Sequence, residues 1–318
     1  MRRSRELWFG GKSRIAPEVW ARFGDVPNFV EPFAGSLAVL LGRPTPPRIE
    51  TVNDKDCFIG NLWRALQQEP EAVAHWADWP VNECDLSARH LWLVNQADFR
   101  ERMKTEPDYC DAKIAGWWVW GISQWIGSGW CAGTGVHRQL PHLGNPGTGV
   151  HRKRPHLGGA GTGVHRKTTS DLYAYMAALA ARLRYVRVCC GDWSRVLGPT
   201  PTEKLALTGI FLDPPYSNDE RTDALYAEDH DIAGDVEAWA IEHGDNPQLR
   251  IALCGYAGEH EMPNTWTAVP WKAHGGYGSQ GAGRGRENAA REMIWFSSAC
   301  LQPDRAVQYA LDWDEMID

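Results

Sequence analysis

The sequence lacks any Cys-x-x-Cys pair, although its 318 residues include 8 cysteines. Such pairs are typical of zinc ribbons, and regular cysteine frameworks are typical of small secreted domains, so neither class fits. Cys189 and Cys190 are neighbours inside an apparent strand. We therefore interpret the cysteines as reduced thiols, which predicts a cytoplasmic location.

Long apolar runs are also missing. The basic segment Met1 to Gly11 leads into no apolar run of signal-peptide length, and no later segment is long and apolar enough to span a bilayer. With 43% hydrophobic residues, the chain still has enough apolar side chains for a globular core. We therefore expect an unexported protein with no membrane-bound part.

Acidic residues are absent from Ala112 to Ser170, although the chain as a whole has a formal net charge of -7. Local charge decides binding more than total charge does, so this stretch favours a polyanionic partner. The alternative is a solvated basic loop without a partner. The candidate phosphate contacts in the stretch are Arg138, Arg152, Lys153, Arg154, Arg166 and Lys167.

A repeat with a period of about 14 residues begins at Gly133 in the same stretch, and each copy starts with GTGVHR. The unit is too short for a solenoid and too rich in glycine for a packed core. We interpret the copies as a loop array whose histidines and arginines contact phosphates or base edges, with an inert duplicated loop as the alternative. The histidines resemble part of a zinc finger, but no cysteine pair accompanies them, so we predict no metal site.

Strands alternate with helices over most of the remaining sequence. Apolar runs ending in polar residues predict strands at Asn28–Glu31, 48–54, 185–192, 207–213, 250–256 and 291–297. Helical spacing predicts helices near Gly35, over 57–66, from an N-cap at Ser170 to Leu183 and over 236–242, with a tryptophan-rich helical region before Gly129. This alternation predicts an α/β fold with helices on both faces of a sheet, and ligands beyond the carboxyl ends of its strands.

The stretch FLDPPYS, residues 211–217, ends one of these strands with an acid, two prolines and a tyrosine. Two consecutive prolines cannot donate to a strand ladder and hold the backbone in a fixed, extended turn. The carbonyls beside them therefore point at whatever lies past the end of the strand. Such rigidity predicts a functional corner.

Five segments, in their order along the chain, resemble the motifs of the Dam-type DNA adenine methyltransferases, in particular those of phages and restriction-modification systems. These segments are WFGGK at 8–12, VEPFAGS at 30–36, VND at 52–54, CGDW at 190–193 and DPPY at 213–216. The resemblance implies a Rossmann-like methyltransferase sheet with an inserted target-recognition region. It also implies an adenine-specific enzyme that binds S-adenosylmethionine and double-stranded DNA.

The resemblance implies that eight residues contact S-adenosylmethionine: Trp8, Lys12, Glu31, Phe33, Gly35, Asp54, Asp192 and Asp213. The physical interpretation agrees, because Gly35 allows a ligand to approach the backbone at a strand-to-helix turn and Asp54 is placed to accept a ribose hydroxyl pair. An aromatic ring at Phe33 would attract a sulfonium. The alternatives are ordinary packing for Glu31 and Phe33, and a helix N-cap for Asp192.

The resemblance also assigns catalysis to Asp213, Pro214, Pro215 and Tyr216. The exocyclic amine of adenine is a poor nucleophile, because its lone pair is delocalised into the ring. The Asp213 carboxylate and the Pro214 carbonyl would accept its two hydrogens, and Tyr216 would stack on the base. A paired base cannot reach such a corner, so the enzyme must rotate the adenine out of the duplex.

The motif order divides the chain into four expected parts. These parts are the first half of the cofactor-binding core at 1–80, a target-recognition insertion at 81–170, the catalytic half of the core at 171–300 and an acidic tail at 301–318. We expect a monomer, with a cognate restriction nuclease as a further partner. Methylation of cytosine N4 or of RNA, and a silent DNA-binding relative, are the alternative functions.

Overall fold

Parallel strand pairing forms the centre of the molecule. A computed structural model describes residues 12–80, 83–123, 130–131, 166–215, 232–271 and 292–303, with the backbone alone at 83 and 166–171. Its strands are β1 (Asn28–Glu31), β2 (Ile49–Asp54), β3 (Arg187–Cys190), β4 (Thr208–Leu212), β5 (Leu249–Tyr256), β6 (Thr267–Pro270) and β7 (Glu292–Phe296). They form one sheet in the order β3-β2-β1-β4-β5-β7-β6.

The helices of the described residues precede β1 or lie between strands as far as β5. They are α1 (Lys12–Phe23), α2 (Ala38–Leu41), α3 (Cys57–Gln68), α4 (Pro70–Ala77), α5 (Glu83–Val94), α6 (Phe99–Thr105), α7 (Ala112–Ile122), α8 (Arg166–Leu183) and α9 (Ile232–His243). A short 3-10 helix follows β3 at Trp193–Val196. This arrangement confirms the predicted α/β class and is consistent with a Rossmann-like methyltransferase fold.

The sheet is mixed, with a parallel centre and an antiparallel edge. β1 pairs in parallel with both β2 and β4, and β4 pairs in parallel with β5. β7 pairs antiparallel with β5 and β6. Every residue of β1 and β4 is buried, as expected for central strands covered on both faces. The apolar run of β4 therefore brings the corner that follows it to the edge of a buried core.

Contacts divide the described residues into two compact units. The first unit lies within Asn53–Asp192, and the second lies within Gly10–Val52, Trp193–Asn218 and His230–Asp318. In the second unit, α1 buries Trp20 against Phe29 of β1, with ring centroids 5.0 Å apart. In the first unit, Trp118 and Trp120 of α7 are 2% and 1% exposed, so both side chains belong to the core.

Four local features differ from the sequence-based predictions. The predicted N-cap at Ser170 is wrong, because α8 already begins at Arg166. The helix predicted near Gly35 shortens to the single turn of α2, preceded by Leu37 in the left-handed region at φ 55°. Helix α1 and strand β6 were not predicted, since Pro17 lies inside the first and the second has only four residues.

No helix within the described ranges combines the length and the apolar character needed to cross a membrane. The predicted division of the chain into four parts, with boundaries at residues 80, 170 and 300, stays a prediction.

The contact between α4 and α7 leads to a stability prediction. A Cβ added at Gly116 of α7 would meet the Trp76 Cβ and would lie 2.7 Å from the backbone oxygen of Val73. We expect Gly116→Ala to lower the free energy of unfolding by about 1–3 kcal/mol through overpacking, despite the better helix propensity of alanine. Gly198→Ala is the control, because a Cβ there meets nothing within 4 Å. Chemical denaturation measures both, and equal stabilities would contradict this packing.

Candidate active site

The carboxyl ends of three parallel strands carry the predicted motifs. β1 ends at Glu31, β2 ends at Asp54, and Asp213 directly follows β4. Glu31 is paired with Val52 of β2, and Val30 is paired with Ile210 of β4, so these strands end at the same edge of the sheet. In open α/β sheets this edge is where ligands bind.

Asp213 forms an ion pair with Lys12. The Lys12 Nζ lies 3.0 Å from the Asp213 Oδ1, and the two side chains are 14% and 23% exposed. Lys12 is the first residue of α1. The structure thus joins the last residue of the GGK segment to the first residue of DPPY, although these segments lie far apart in the sequence.

Two further side chains contact Lys12. Its Nζ is 3.8 Å from the Glu292 Oε2 at the start of β7, and it lies 4.8 Å from the ring centroid of Trp271. One cation is therefore shared between two carboxylates and rests against an indole ring. Sequence reasoning missed both residues, because Glu292 and Trp271 belong to no quoted motif and only the antiparallel pairing of β7 with β5 brings Glu292 to this position.

Burial and charge act against each other in this cluster. Burial opposes the Lys12 ammonium, but attraction to Asp213 and Glu292 acts against burial, and the pKa of Lys12 lies above its ordinary value. Burial raises the pKa of Glu292, and the negative charge of Asp213 raises it further, against the effect of Lys12. Burial likewise raises the pKa of the Cys254 thiol. Lys12 therefore stays protonated at neutral pH.

The two prolines differ in exposure. Pro214 is buried at the end of β4, whereas Pro215 is exposed. The first anchors the corner in the core, and the second lies at the surface. Tyr216, the fourth predicted catalytic residue, lies outside the described residues.

The turn after β1 contains Gly35, the glycine that is predicted to face a ligand. Gly35 has φ +43°, in the left-handed region that glycine adopts without strain, and a Cβ at this position would meet nothing within 4 Å. Glu31, just before the turn, is 2% exposed, and its Oε2 accepts a hydrogen bond of 3.3 Å from the backbone N–H of Leu40. The Glu31 side chain therefore links the end of β1 to helix α2 across the turn.

Phe33 stacks on Trp193 in the same unit. Their ring centroids are 6.3 Å apart at an interplanar angle of 26°, and both side chains are half-buried. Trp193 packs edge-on against Trp239 of α9, with centroids 6.5 Å apart. Trp193 is a candidate that sequence reasoning passed over, although it is the last letter of the CGDW segment.

In the first unit, the end of β2 holds the loop that carries Asp192. The Gly191 N–H donates a hydrogen bond of 3.0 Å to the Asp54 backbone oxygen, and the Asn53 Nδ2 donates one of 3.0 Å to the Gly191 oxygen. The Asp54 Oδ1 accepts a hydrogen bond of 2.9 Å from the Asp56 N–H. Asp192 itself is exposed. Two acidic motif residues are thus held on one backbone scaffold.

Several predicted residues fall outside the described residues. These are Trp8, Tyr216, Arg138, Arg152, Lys153 and Arg154, together with the repeats. Arg166 and Lys167 lie in the first turn of α8, where the backbone alone is described. The proposed phosphate contacts therefore stay predictions.

Comparison with known families supports the resemblance drawn from the motifs. Residues 8–86 match the model of the D12 class N6 adenine-specific DNA methyltransferases. No curated protein matches the chain. The family match confirms the predicted resemblance to the Dam-type enzymes. It covers the GGK, PFAG and VND segments and ends well before DPPY.

The raised pKa of Glu292 gives a prediction for stability against pH. The pKa of such a carboxyl group is higher in the folded than in the unfolded protein. The free energy of unfolding therefore falls as the pH rises from the ordinary pKa of 4.5 through the pKa of the folded protein. Glu292→Gln keeps the shape but cannot ionise, so the variant should gain stability relative to the parent over this window. Denaturation at steps from about pH 4 to about pH 8, a range that begins near the ordinary pKa of a glutamate and extends above it, measures the difference. A difference that stays constant or falls with pH would contradict the assignment.

Proposed function

We propose that this protein transfers a methyl group from S-adenosylmethionine to N6 of an adenine that it has rotated out of double-stranded DNA. The family match indicates an adenine-specific DNA methyltransferase, and it implies S-adenosylmethionine use in general and a DNA substrate. The observation that carries the proposal further is the 3.0 Å ion pair between Lys12 and Asp213. The pair joins the GGK segment to the DPPY segment, and the motif resemblance assigns both segments to methyl transfer.

The residues at the carboxyl ends of the strands fit S-adenosylmethionine. The open space beside Gly35 leaves room for a ligand at the turn, and Phe33 presents a half-buried ring to a sulfonium. Trp193 stacks on Phe33 and would stabilise that ring's position. We further assign Trp8, Lys12, Glu31, Asp54, Asp192 and Asp213 to cofactor contact, on the motif resemblance. When bound, the cofactor supplies an electrophilic methyl group.

The chain's own contribution to the reaction is to hold the adenine amine. The Asp213 carboxylate and the Pro214 carbonyl accept its two hydrogens, which favours the pyramidal amine whose lone pair can attack a methyl group. Pro214 is buried and both prolines restrict the backbone, so these acceptors do not turn toward water. Tyr216 stacks on the base. Placing the amine in line with the methyl group lowers the barrier further through proximity.

Lys12 positions the catalytic carboxylate. Its ammonium contacts one Asp213 oxygen, and its own position is set by Glu292 and Trp271. A charged, partly buried contact of this kind restricts rotation of the carboxylate group. We therefore assign Glu292 and Trp271 as positioning residues that act through Lys12.

DNA recognition is assigned to the insertion at 81–170. Its acid-free part contains the basic residues that we propose as phosphate contacts, Arg138, Arg152, Lys153, Arg154, Arg166 and Lys167. A monomer, a cytoplasmic location and a partner nuclease of a phage or restriction-modification system belong to the same proposal and rest on the motif resemblance.

A labelling experiment tests the proposed reaction. The protein is incubated with methyl-labelled S-adenosylmethionine and mixed-sequence duplex DNA, and the DNA is digested to nucleosides. We expect the label in N6-methyldeoxyadenosine alone. Label in deoxycytidine, label in RNA supplied in parallel, or none in any nucleic acid would contradict the adenine assignment.

Substitution of the proposed acceptor tests the mechanism. Asp213→Ala should reduce the rate of methyl transfer at least about 10²–10³-fold, because it removes a preorganised acceptor of the amine, while DNA binding is partly retained. Asp235→Ala on α9 is the matched control, since this carboxylate is exposed and has no proposed role. Rates under single-turnover conditions measure the effect, and normal turnover by Asp213→Ala would refute the acceptor role.

A further inference from the structure

A cavity of about 500 Å³ lies in the first unit, and its walls come from α4, α5, α7 and the segment after α4. This volume is within the range of about 300–1,000 Å³ that is typical of small-molecule sites. The lining residues that matter most are Trp76, Trp79, Asp85, Arg89, Trp92 and Trp117. We call this cavity the tryptophan pocket. None of its lining residues is assigned to methyl transfer.

Arg89 is the unusual member of the pocket. It is 7% exposed, and its guanidinium carbon lies 5.1 Å from the ring centroid of Trp79, 4.8 Å from that of Trp117 and 4.2 Å from that of Trp120. Its Nη1 is buried, and no described residue accepts a hydrogen bond from it. Burial lowers the pKa of Arg89, against the attraction of Asp85. A buried donor without an acceptor costs free energy, so the pocket favours a ligand that brings one.

The pocket also offers an acceptor and a second donor. The Asp85 Oδ2 accepts a hydrogen bond of 2.7 Å from the Trp79 Nε1. The Trp117 Nε1 is buried and has no hydrogen-bond acceptor among the described residues. Hydrogen-bond donors and acceptors thus line the pocket together with indole rings. This combination suits a flat ligand that has donors and acceptors on its edge.

Charge excludes two other classes of ligand. Lys113 lies 4.5 Å from the ring centroids of Trp92 and of Trp117, so two cations, Lys113 and Arg89, already lie beside rings of the pocket and would repel a third. The carboxylates of Asp78 and Asp85 line the cavity and would repel a multiply charged anion. A neutral, planar ring meets neither repulsion.

We propose that the tryptophan pocket binds an unstacked nucleobase, other than the adenine that is methylated. The inference rests on the proposed function, since DNA is what supplies such a base. Indole rings stack on any base because every base has a π face. Trp79 is 49% exposed, so the rim of the pocket is accessible. The base comes from a single-stranded or extruded nucleotide of DNA, or from a free nucleoside.

Photocrosslinking locates the base directly. Full-length protein is irradiated with a single-stranded oligonucleotide that contains 5-iododeoxyuridine, and crosslinked peptides are sequenced by mass spectrometry. We expect crosslinks on Trp79, Trp92 or Trp117. If excess unlabelled thymidine removes these crosslinks, the pocket binds a base as such. If the crosslinks resist thymidine, the pocket binds a base within a strand. Crosslinks confined to residues outside the pocket would overturn the proposal.

Affinity measurements test the stacking contribution. Trp79→Ala should weaken binding of the same oligonucleotide about tenfold, the loss expected for one base–indole stack. Tyr185→Ala is the matched control, because Tyr185 lies in the same unit, is 80% exposed and does not line the pocket. Arg89→Met keeps the stem of the side chain and should weaken binding as well. Equal affinities for parent, Trp79→Ala and Tyr185→Ala proteins would overturn the proposal.

The methyl-transfer assay separates this proposal from the proposed function. Methyl transfer by the parent protein without crosslinks in the pocket refutes the nucleobase site alone. Crosslinks in the pocket without methyl transfer refute the proposed reaction and leave the nucleobase site standing. Circular dichroism of each variant confirms that lost binding does not reflect lost folding.

Discussion

The ion pair between Lys12 and Asp213 is the contact on which the proposed active site depends. It forms because α1 begins with Lys12 and because the buried strand β4 delivers Asp213 to the carboxyl edge of the sheet. A charge at the edge of a core is tolerated only when it is paired. Glu292 and Trp271 complete that pairing, so the proposed catalytic corner is held by charge on one side and by the rigid prolines on the other.

The two units contribute different chemistry to the proposal. The second unit contains the corner, the Gly35 turn and the Phe33–Trp193 stack, all positioned by parallel strands. The first unit holds Asp54 and Asp192 on a backbone scaffold and contains the tryptophan pocket. In this proposal, rigid strands position the reaction, whereas helices rich in aromatic side chains bind a base.

Much of the fold follows from the sequence, because buried parallel strands are continuous apolar runs that end in polar residues. β1 was predicted with its observed bounds, and β4, β5 and β7 within a residue or two. Helix α1 was not predicted, since glycine and proline near its start interrupt the pattern, and β6 has only four residues. Motif resemblance identified Lys12 and Asp213 but not their contact. The sequence could not predict the proposed roles of Glu292, Trp271 and Arg89, because these roles depend on contacts that form only in the tertiary structure.

A double-mutant cycle on the free energy of unfolding tests the central contact most directly. It compares the parent protein with Lys12→Met, Asp213→Asn and the double variant, all at neutral pH. If the two side chains pair as described, the effects are not additive, and the coupling energy is about 0.5–3 kcal/mol. Additive effects, with a coupling energy near zero, would contradict the ion pair and the site that depends on it.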